Sequence, residues 1–398
     1  MGNLLKRLFK TKQEMVDETA NFTGDVENQF TVFNNYIDLV HDSCSICYNR
    51  CVNDRTYEDK LDYIKRRAAT GHESIFEHSN FINYYVCDER LIQSVLEALD
   101  VNRYLHQKVK VIDGKIFVLL GGSIRGYKHI VRNIENPDNK FYNAILESMY
   151  SMNSSFFGDF IEEDIMEKSK FLDLDNQPAF EPKKLSKSII RNMDNIHEIL
   201  KSLQDLGAPF TFEDLLPMCT ITINFTDVSR IITQQLTRHR DTGITQASQR
   251  YINYSDGTFN SPDKFKPEKY EPEHKYEISF GNKKHHLTLQ QLGDEIIKIY
   301  PQLIKHGLLK EDARAFLPMN VGSSLYMTFN FKGFIKFLEL REEKHAQIEI
   351  QLIAKELGVP FREFLGVEDI FKYLEPKYKT IPQELEETYD SIDEVIEV

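Results

Sequence analysis

The chain has 398 residues, of which 49 are Lys or Arg and 62 are Asp or Glu, so its formal net charge is −13. Hydrophobic residues make up 41% and charged residues 28%, which is typical of a soluble globular protein and excludes a disordered chain. The sequence lacks the apolar run of about 18 residues that a membrane span requires, so no membrane partner is expected. The acidic balance argues against a nucleic-acid partner, because a dedicated duplex-DNA binder presents a basic face.

The start of the chain and its cysteines favour a cytoplasmic protein. The opening MGNLLKRLFK is basic and amphipathic, but it lacks the long apolar run and cleavage site of a signal peptide. Five cysteines are an odd number and few for this length, as in a reducing compartment. Cys44, Cys47 and Cys51 are closely spaced, but the segment offers no fourth ligand, so no metal is predicted.

The predicted elements are helices and strands in alternation. The polar residues 1–30 are expected to form a helix or a loosely tied arm, and helical patterns follow over 32–70. Runs of β-branched and aromatic residues predict strands over 81–86, 115–120 and 219–225. Amphipathic patterns predict helices over 89–99, 140–150, 186–205, 228–237 (with Asp227 as its N-cap), 286–308 and 332–357. Turn-forming residues dominate 252–287, which is predicted to be a surface loop.

A basic cluster is the strongest local signal for chemistry. Arg238-His239-Arg240 is followed by Ser248 and by Arg250-Tyr251. Three arginines and a histidine within thirteen residues predict a cationic pocket, provided that the intervening loop folds them inward. Arginine suits a bidentate grip on phosphate and on carbonyl edges. The alternative is a solvated basic turn at a helix C-terminus, where cations interact favourably with the dipole.

Two further segments carry candidate functional groups. The turn GHESIFEH at 71–78 offers two His and two Glu, as hydrogen-bonding groups for a ligand. A metal site is disfavoured there, because the helical H-E-x-x-H spacing is absent. Arg341 and His345 are four residues apart and share a helix face. The alternative for that run is a salt-bridged, exposed helix surface.

The segment RHRDTGITQASQRY resembles the signature of flavin-dependent thymidylate synthases, the thymidylate synthase complementing protein family. GHESIFEH is similar to the GHE-x-x-x-EH turn of that family, and ARAFLPMN and FNFKGFIKFLELREEKHAQIEI resemble its C-terminal elements. The four matches are in the family's order and cover roughly residues 30–86 and 219–370. Four collinear matches are more specific than any one of the motifs.

The resemblance implies a reductive methylation in which dUMP becomes dTMP. It implies FAD as the cofactor that carries the hydride, methylenetetrahydrofolate as the one-carbon donor, and NADPH as the reductant. It also implies a homotetramer whose active sites are shared between subunits. The basic cluster agrees with this chemistry, because a protein that uses such a cofactor supplies positioning and charge.

The resemblance also assigns roles to residues. Arg341 is expected to stabilise the charge that develops on the uracil carbonyl oxygens when C5 becomes nucleophilic. Ser248 is a candidate nucleophile toward uracil C6, but without an assured base a hydrogen bond to the dUMP phosphate is favoured. The other residues expected to bind substrate are Gln235, Gln246, Arg250 and Arg314. The residues expected to contact the flavin are His72, Ser74, Glu77, Arg238, His239, Arg240, Asn330, Lys332 and His345.

Five positions depart from the family pattern. Gly243 stands where the family usually has Ser, and Thr245-Gln246 stands where Asn-Glu is common, so an amide replaces a carboxylate. Lys332 replaces an Arg expected at the flavin phosphate, which keeps the charge and loses the bidentate geometry, and Lys336 replaces a common Asn. These departures leave two alternatives open: a non-catalytic relative that binds dUMP or dTMP, and a flavin enzyme that adds another one-carbon group to a pyrimidine nucleotide.

Together, the elements and the resemblance predict an α+β fold with a central, mostly antiparallel sheet flanked by long helices. The predicted division is an N-terminal arm (1–30), a first part of the catalytic core (31–86), an insertion (87–218), a second part of the core (219–375) and an acidic tail (376–398). The insertion is expected to pack outside the core, because typical family members lack it. The similarity of SIRGY at 123–127 to NFKGF at 330–334 leaves open that the insertion holds a degenerate partial copy of the core.

Overall fold

The computed structural model describes residues 26–33, 36–47, 55–70, 72–100, 105–133, 136, 138–152 and 180–374. Most of the predicted arm, the acidic tail 376–398 and Cys51 lie outside the described residues. In the part of the chain that is described, no helix combines the length and apolarity that crossing a membrane requires.

The first half of the chain alternates short strands with helices. Its strands are β1 (Val26–Phe33), β2 (Phe81–Asp88), β3 (Leu105–Ile112) and β4 (Lys115–Gly122). Its helices are α1 (Tyr36–Ile46), α2 (Tyr57–Ala69), α3 (Ile92–Asp100), α4 (Ile124–Asn133) and α5 (Lys140–Met152), with 3₁₀ helices at Glu73–His78 and Glu89–Leu91. β1 corrects the prediction of an arm up to residue 30, because it pairs with β2 and buries Phe30 and Val32.

The second half has the same kinds of element and more of them. Its strands are β5 (Lys183–Lys184), β6 (Ser188–Met193), β7 (Thr220–Ser229), β8 (Thr242–Gln246), β9 (Tyr276–Phe280), β10 (Lys283–Leu287) and β11 (Gly322–Asn330). Its helices are α6 (Ile196–Asp205), α7 (Phe212–Leu215), α8 (Arg230–Leu236), α9 (Pro267–Tyr270), α10 (Leu289–Ile297), α11 (Ile299–Lys305), α12 (Lys310–Ala313), α13 (Phe331–Arg341) and α14 (Ile348–Leu365). Further 3₁₀ helices lie at Pro262–Phe265, Arg314–Phe316 and Ile370–Tyr373.

Several predicted elements differ from the observed ones. β9 and β10 form a hairpin inside the segment predicted as a loop, with Gly281 at a φ of 59° in the turn. The helix predicted from residue 186 starts only at α6, because β6 pairs with β7. Each of the last two predicted helices is divided, into α10 and α11 and into α13 and α14. Ser229 caps α8 in place of Asp227, since its side chain accepts a hydrogen bond from the Ile232 N–H.

The strands form two larger antiparallel sheets, which confirms the predicted α+β class. The prediction of one central sheet is corrected, because the described residues form two. The first sheet has the order β1-β2-β4-β3, and the second has the order β5-β6-β7-β11-β8. β3 to β6 all come from residues 87–218, and two of them pair with strands outside that segment, β4 with β2 and β6 with β7. The expectation that this segment packs outside the core is therefore wrong.

The two sheets share a hydrophobic core. Side chains alternate between the faces of the first sheet, because successive residues of a strand point to opposite sides. Phe81 and Tyr85 face the helices of the first half. Ile82, Tyr84 and Leu119 face the other way and join the core of the second sheet. This packing brings the 3₁₀ helix Glu73–His78 against β8 and β11.

Candidate functional site

A cavity of about 470 Å³ is lined by residues from both halves of the chain. Three residues predicted to contact flavin line it: Glu77 in the 3₁₀ helix, Arg240 before β8 and Asn330 at the end of β11. The antiparallel pairing of β8 with β11 brings the segment that precedes β8 to the end of β11. The volume lies in the usual range for small-molecule sites, about 300–1,000 Å³.

Asn330 links α13 to the first half of the chain. Its Oδ1 accepts a hydrogen bond from the Gly333 N–H at 2.6 Å, and its Nδ2 lies 2.9 Å from Nε2 of His106, on β3. Burial lowers the pKa of His106, and Lys332 lowers it further while Asp241 opposes the shift. The neutral ring of His106 therefore accepts the hydrogen bond that the Asn330 amide donates.

Glu77 is held by α4. Its carboxylate forms an ion pair with the Arg125 guanidinium. Burial raises the pKa of the Glu77 carboxyl, and Arg125 opposes that shift. Lys128, one turn along the same helix, pairs with Glu73 at 3.2 Å. α4 thus contacts the 3₁₀ helix at two charged positions, one of which faces the cavity.

The 3₁₀ helix is fixed on the second sheet by His78 and by a close backbone approach. His78 is fully buried, and its two ring nitrogens lie 3.0 Å from Thr328 Oγ1 and 2.9 Å from Thr245 Oγ1. Burial lowers the pKa of His78 to about 3, so the ring is neutral. A Cβ at Gly243 would lie 2.6 Å from the Glu77 carbonyl oxygen. The serine that the family usually has at this position would not fit here without a shift of the 3₁₀ helix.

Gln235, His239 and Arg341 form a second group, at the C-terminal ends of α8 and α13. Arg341 Nε donates to His239 Nε2 at 3.3 Å, and Arg341 Nη1 donates to Gln235 Oε1 at 3.4 Å. Burial lowers the pKa of His239 to about 4, and Arg341 and Lys336 contribute to the shift. His239 is therefore a neutral acceptor, which leaves the positive charge on Arg341.

Arg341 lies near a second cation, Arg238, and is partly buried. Burial lowers the pKa of the Arg341 guanidinium, and Arg238 lowers it further. The adjacent carboxylate, Glu342, pairs with Arg362 at 2.6 and 2.9 Å. The group can thus stabilise negative charge on a ligand.

Arg250 and Arg314 form a third group, around Glu311. Arg250 Nε donates to Glu311 Oε2 at 2.8 Å, and Arg314 Nε donates to the Glu311 carbonyl oxygen at 3.0 Å. The Arg250 N–H donates to Ser248 Oγ at 3.3 Å, so the hydroxyl closes a local turn. Both arginines are exposed and accessible to a ligand.

The other predicted residues lie elsewhere. His72, Ser74 and His345 are exposed and do not line the cavity. Gln246 is on β8, and its Nε2 is buried with no hydrogen-bond partner among the residues that the structure describes. A second cavity of about 730 Å³, beside the ion pair of Arg191 with Asp42, contains none of the predicted site residues.

The sequence motifs do not identify His106, because they do not predict strand β3. The sequence carries a signal for this strand, since Asp113-Gly114 is a dipeptide typical of hairpin turns. These residues have φ values of 51° and 78° in the turn between β3 and β4. The hairpin signal places a strand beside the predicted strand 115–120, and with it His106 beside the end of β4.

Residues 173–365 match the family model described as thymidylate synthase complementing protein. This range is just under half of the chain. It contains the RHR segment and Arg341, and it begins inside the segment predicted as an insertion. The resemblance suggested by the motifs is confirmed over this range.

Relatives of known name agree with the family model. The flavin-dependent thymidylate synthase of Pyrococcus abyssi is 34% identical over 146 residues, which are 36% of this chain and 54% of that protein. The enzyme of the same name from Thermococcus onnurineus is 34% identical over 153 residues, 37% of this chain and 56% of that protein. The chain thus spans about half the length of these relatives. The chain also matches a crystal structure of thymidylate synthase X from Helicobacter pylori with FAD and dUMP. The two are 17% identical, and the match covers 46% of this chain and 98% of that chain with a TM-score of 0.34.

Proposed function

We propose that this chain, whose residues 173–365 match the thymidylate synthase complementing protein family, is a flavin-dependent thymidylate synthase that converts dUMP to dTMP. The observation that carries the proposal is the convergence of Glu77, Arg240 and Asn330 on one cavity. The motifs that contain these residues are far apart in the sequence. If each motif were only a solvated turn, nothing would require the three residues to lie around one cavity.

The lining of the cavity suits FAD. A diphosphate is bound well by arginine and by amide or hydroxyl donors, and Arg240, Asn330 and Ser123 supply these groups. FAD, when bound, supplies the hydride-transfer chemistry. Further flavin contacts are proposed for His72, Ser74, Arg238, His239, Lys332 and His345.

Arg341 is proposed as the group that activates the uracil ring. Its hydrogen bonds go to the neutral side chains His239 and Gln235, so its charge is retained for the substrate. Negative charge develops on the uracil carbonyl oxygens when C5 attacks the one-carbon unit. A fixed guanidinium beside those oxygens lowers the energy of that state more than that of the resting substrate.

Arg250, Arg314 and Ser248 are proposed to bind the dUMP phosphate. In the structure Arg250 is paired with Glu311, so the phosphate would replace that carboxylate as the partner of Nε. An exposed ion pair of this kind contributes only about 0–1 kcal/mol, so the exchange opposes binding weakly. The amides of Gln235 and Gln246 are proposed to complete the substrate contacts.

Methylenetetrahydrofolate and NADPH are proposed as co-substrates, and the cytoplasm as the location. A homotetramer with shared sites is proposed as the assembly. It is supported by the arrangement of the cationic residues, because the Arg341 group and the Arg250 group are separate groups in one chain. In a shared site, Arg250 of one chain would serve the uracil site of another.

The absorbance of the purified protein tests the proposal. The chain has no Trp, so a flavin spectrum in the visible range is easily quantified against the protein. The proposal predicts a yellow protein whose flavin spectrum changes when dUMP is added. A colourless protein that binds dUMP but takes up no added FAD would contradict the proposal and support the non-catalytic alternative.

A further inference from the structure

The two sheets have the same strand order. β1, β2, β4 and β3 of the first sheet occupy the places of β6, β7, β11 and β8 in the second. The chain order of these strands is also the same. In both halves two helices follow the corresponding strand: α4 and α5 follow β4, and α13 and α14 follow β11.

The strand registers agree as well. In each sheet, one residue from each of the four strands lies in a single row across the sheet, near the strand ends. The residues at the same place in the two rows are equivalent. They are Phe33, Phe81, Gly122 and Leu105 in the first sheet, and Met193, Ile221, Phe329 and Thr242 in the second. This geometry sets an equivalence of residues between the halves without using sequence similarity.

The residues that immediately precede helices α4 and α13 have the same role. Ser123 lies between Gly122 and α4, and its Oγ accepts a hydrogen bond from the Gly126 N–H at 3.4 Å. Asn330 is the equivalent residue at α13, and its Oδ1 accepts from the Gly333 N–H at 2.6 Å. The similarity of SIRGY to NFKGF is therefore matched by the backbone.

The halves contact each other reciprocally. By the same equivalence, His78 corresponds to Met218 and Thr328 corresponds to Gly121. His78 of the first half bonds to Thr328 of the second at 3.0 Å. Met218 of the second half packs on Gly121 of the first, where a Cβ would lie 2.9 Å from the Met218 Cβ. Exchanged contacts of this kind are the mark of a two-fold axis between two copies of one unit.

The cavity lies on this pseudo-two-fold axis, because both members of several equivalent pairs line it. The pairs are Ser123 with Asn330, Asn80 with Thr220, His106 with Gly243, and Glu77 with Pro217. The two copies are chemically unequal there, since Glu77 is a carboxylate and its counterpart is a proline. Arg125, the equivalent of Lys332, engages that carboxylate.

We propose that residues 26–152 and 188–365 are two copies of one unit folded as a pseudodimer, that the cavity on their axis binds one FAD per chain, and that Arg125 positions Glu77 for that ligand. The ligand assignment rests on the proposed function, whereas the duplication rests on the strand registers and reciprocal contacts. The flavin contacts of this cavity are then supplied by one chain, and the shared assembly concerns the Arg250 group.

FAD affinity of full-length variants tests the role of Arg125. Arg125→Ala is expected to weaken FAD binding at least about 10-fold, because a charge-assisted contact that fixes Glu77 is lost. Lys128→Ala is the matched control: it removes the other ion pair between α4 and the same 3₁₀ helix, and it is expected to change the affinity by less than about 3-fold. Arg125→Lys should restore most of the affinity. This pattern of affinities would contradict a purely structural role for Arg125. Equal losses of FAD affinity in Arg125→Ala and Lys128→Ala would overturn the positioning role.

Stoichiometry and cross-linking test the rest. Titration of the wild type should give one FAD per chain, and two per chain or one per two chains would overturn the single axial site. A zero-length carbodiimide should join Lys110 to Asp214, whose side chains lie 2.8 Å apart across the two halves, within one chain, seen as a linked peptide in the monomer band of a denaturing gel. A link found only between chains would overturn the pseudodimer. Absence of FAD binding by the wild type would reject the proposed function and the axial flavin site, and the cross-link would still test the contact between the two halves within one chain.

Discussion

Buried His78 makes the stability of the fold sensitive to acid. Burial lowers its pKa to about 3, whereas a histidine in an unfolded chain titrates near about 6.5. Between these values the unfolded chain binds a proton that the native chain does not, so the free energy of unfolding falls as the pH falls. At about pH 5 the His78 contribution is a loss of about 2 kcal/mol relative to about pH 8. The native pKa is far below that pH, so the figure is set by the unfolded pKa alone.

The assay compares wild type with His78→Gln, whose amide can still contact Thr328 and Thr245. Urea unfolding is followed by circular dichroism, because the chain has no Trp. Between about pH 8 and about pH 5, the wild type should lose about 2 kcal/mol more than His78→Gln. His306→Gln, which changes an exposed histidine, should lose as much as the wild type. Equal losses in wild type and His78→Gln would refute the reasoning.

Three further substitutions have definite expected results. Gly243→Ser places a side chain against the Glu77 carbonyl and should lower the free energy of unfolding by about 1–3 kcal/mol together with the FAD content; unchanged values for both in denaturation and absorbance measurements would contradict the packing account. Arg341→Ala should lower kcat for dTMP formation by about 10²–10³ while FAD remains bound, and near-normal turnover would exclude the assigned role. Arg250→Ala should weaken dUMP binding by about 10–150-fold and leave deoxyuridine binding nearly unchanged; equal weakening in calorimetric titrations would make Arg250 structural.

The strands that the sequence predicted are those whose composition is dominated by β-branched or aromatic residues. β2, β4 and β7 are of this kind, and each lies in the middle of a sheet with both faces covered. β1 and β6 were missed because they contain several polar residues, as in VENQFTVF and SIIRNM. Their strand conformation depends on pairing with β2 and β7, which is a long-range contact that local composition does not encode.

The site was predictable to a similar extent and for a similar reason. The motifs named Glu77, Arg240 and Asn330, which the structure brings to one cavity. They did not name His106, because its place in the cavity follows from the hairpin of β3 with β4 rather than from a motif. The close approach of Gly243 to the 3₁₀ helix also could not be predicted from the sequence, because it joins segments more than 160 residues apart.

Direct detection of dTMP is the measurement that bears most immediately on the central claim. The purified protein, loaded with FAD, is incubated with dUMP, methylenetetrahydrofolate and NADPH, and the nucleotide is analysed by chromatography and mass spectrometry. We expect dTMP to accumulate over many turnovers, its formation to require dUMP and both co-substrates, and Arg341→Ala to lower its rate by about 10²–10³. Wild-type protein that binds FAD and dUMP under these conditions but forms no dTMP would contradict the account.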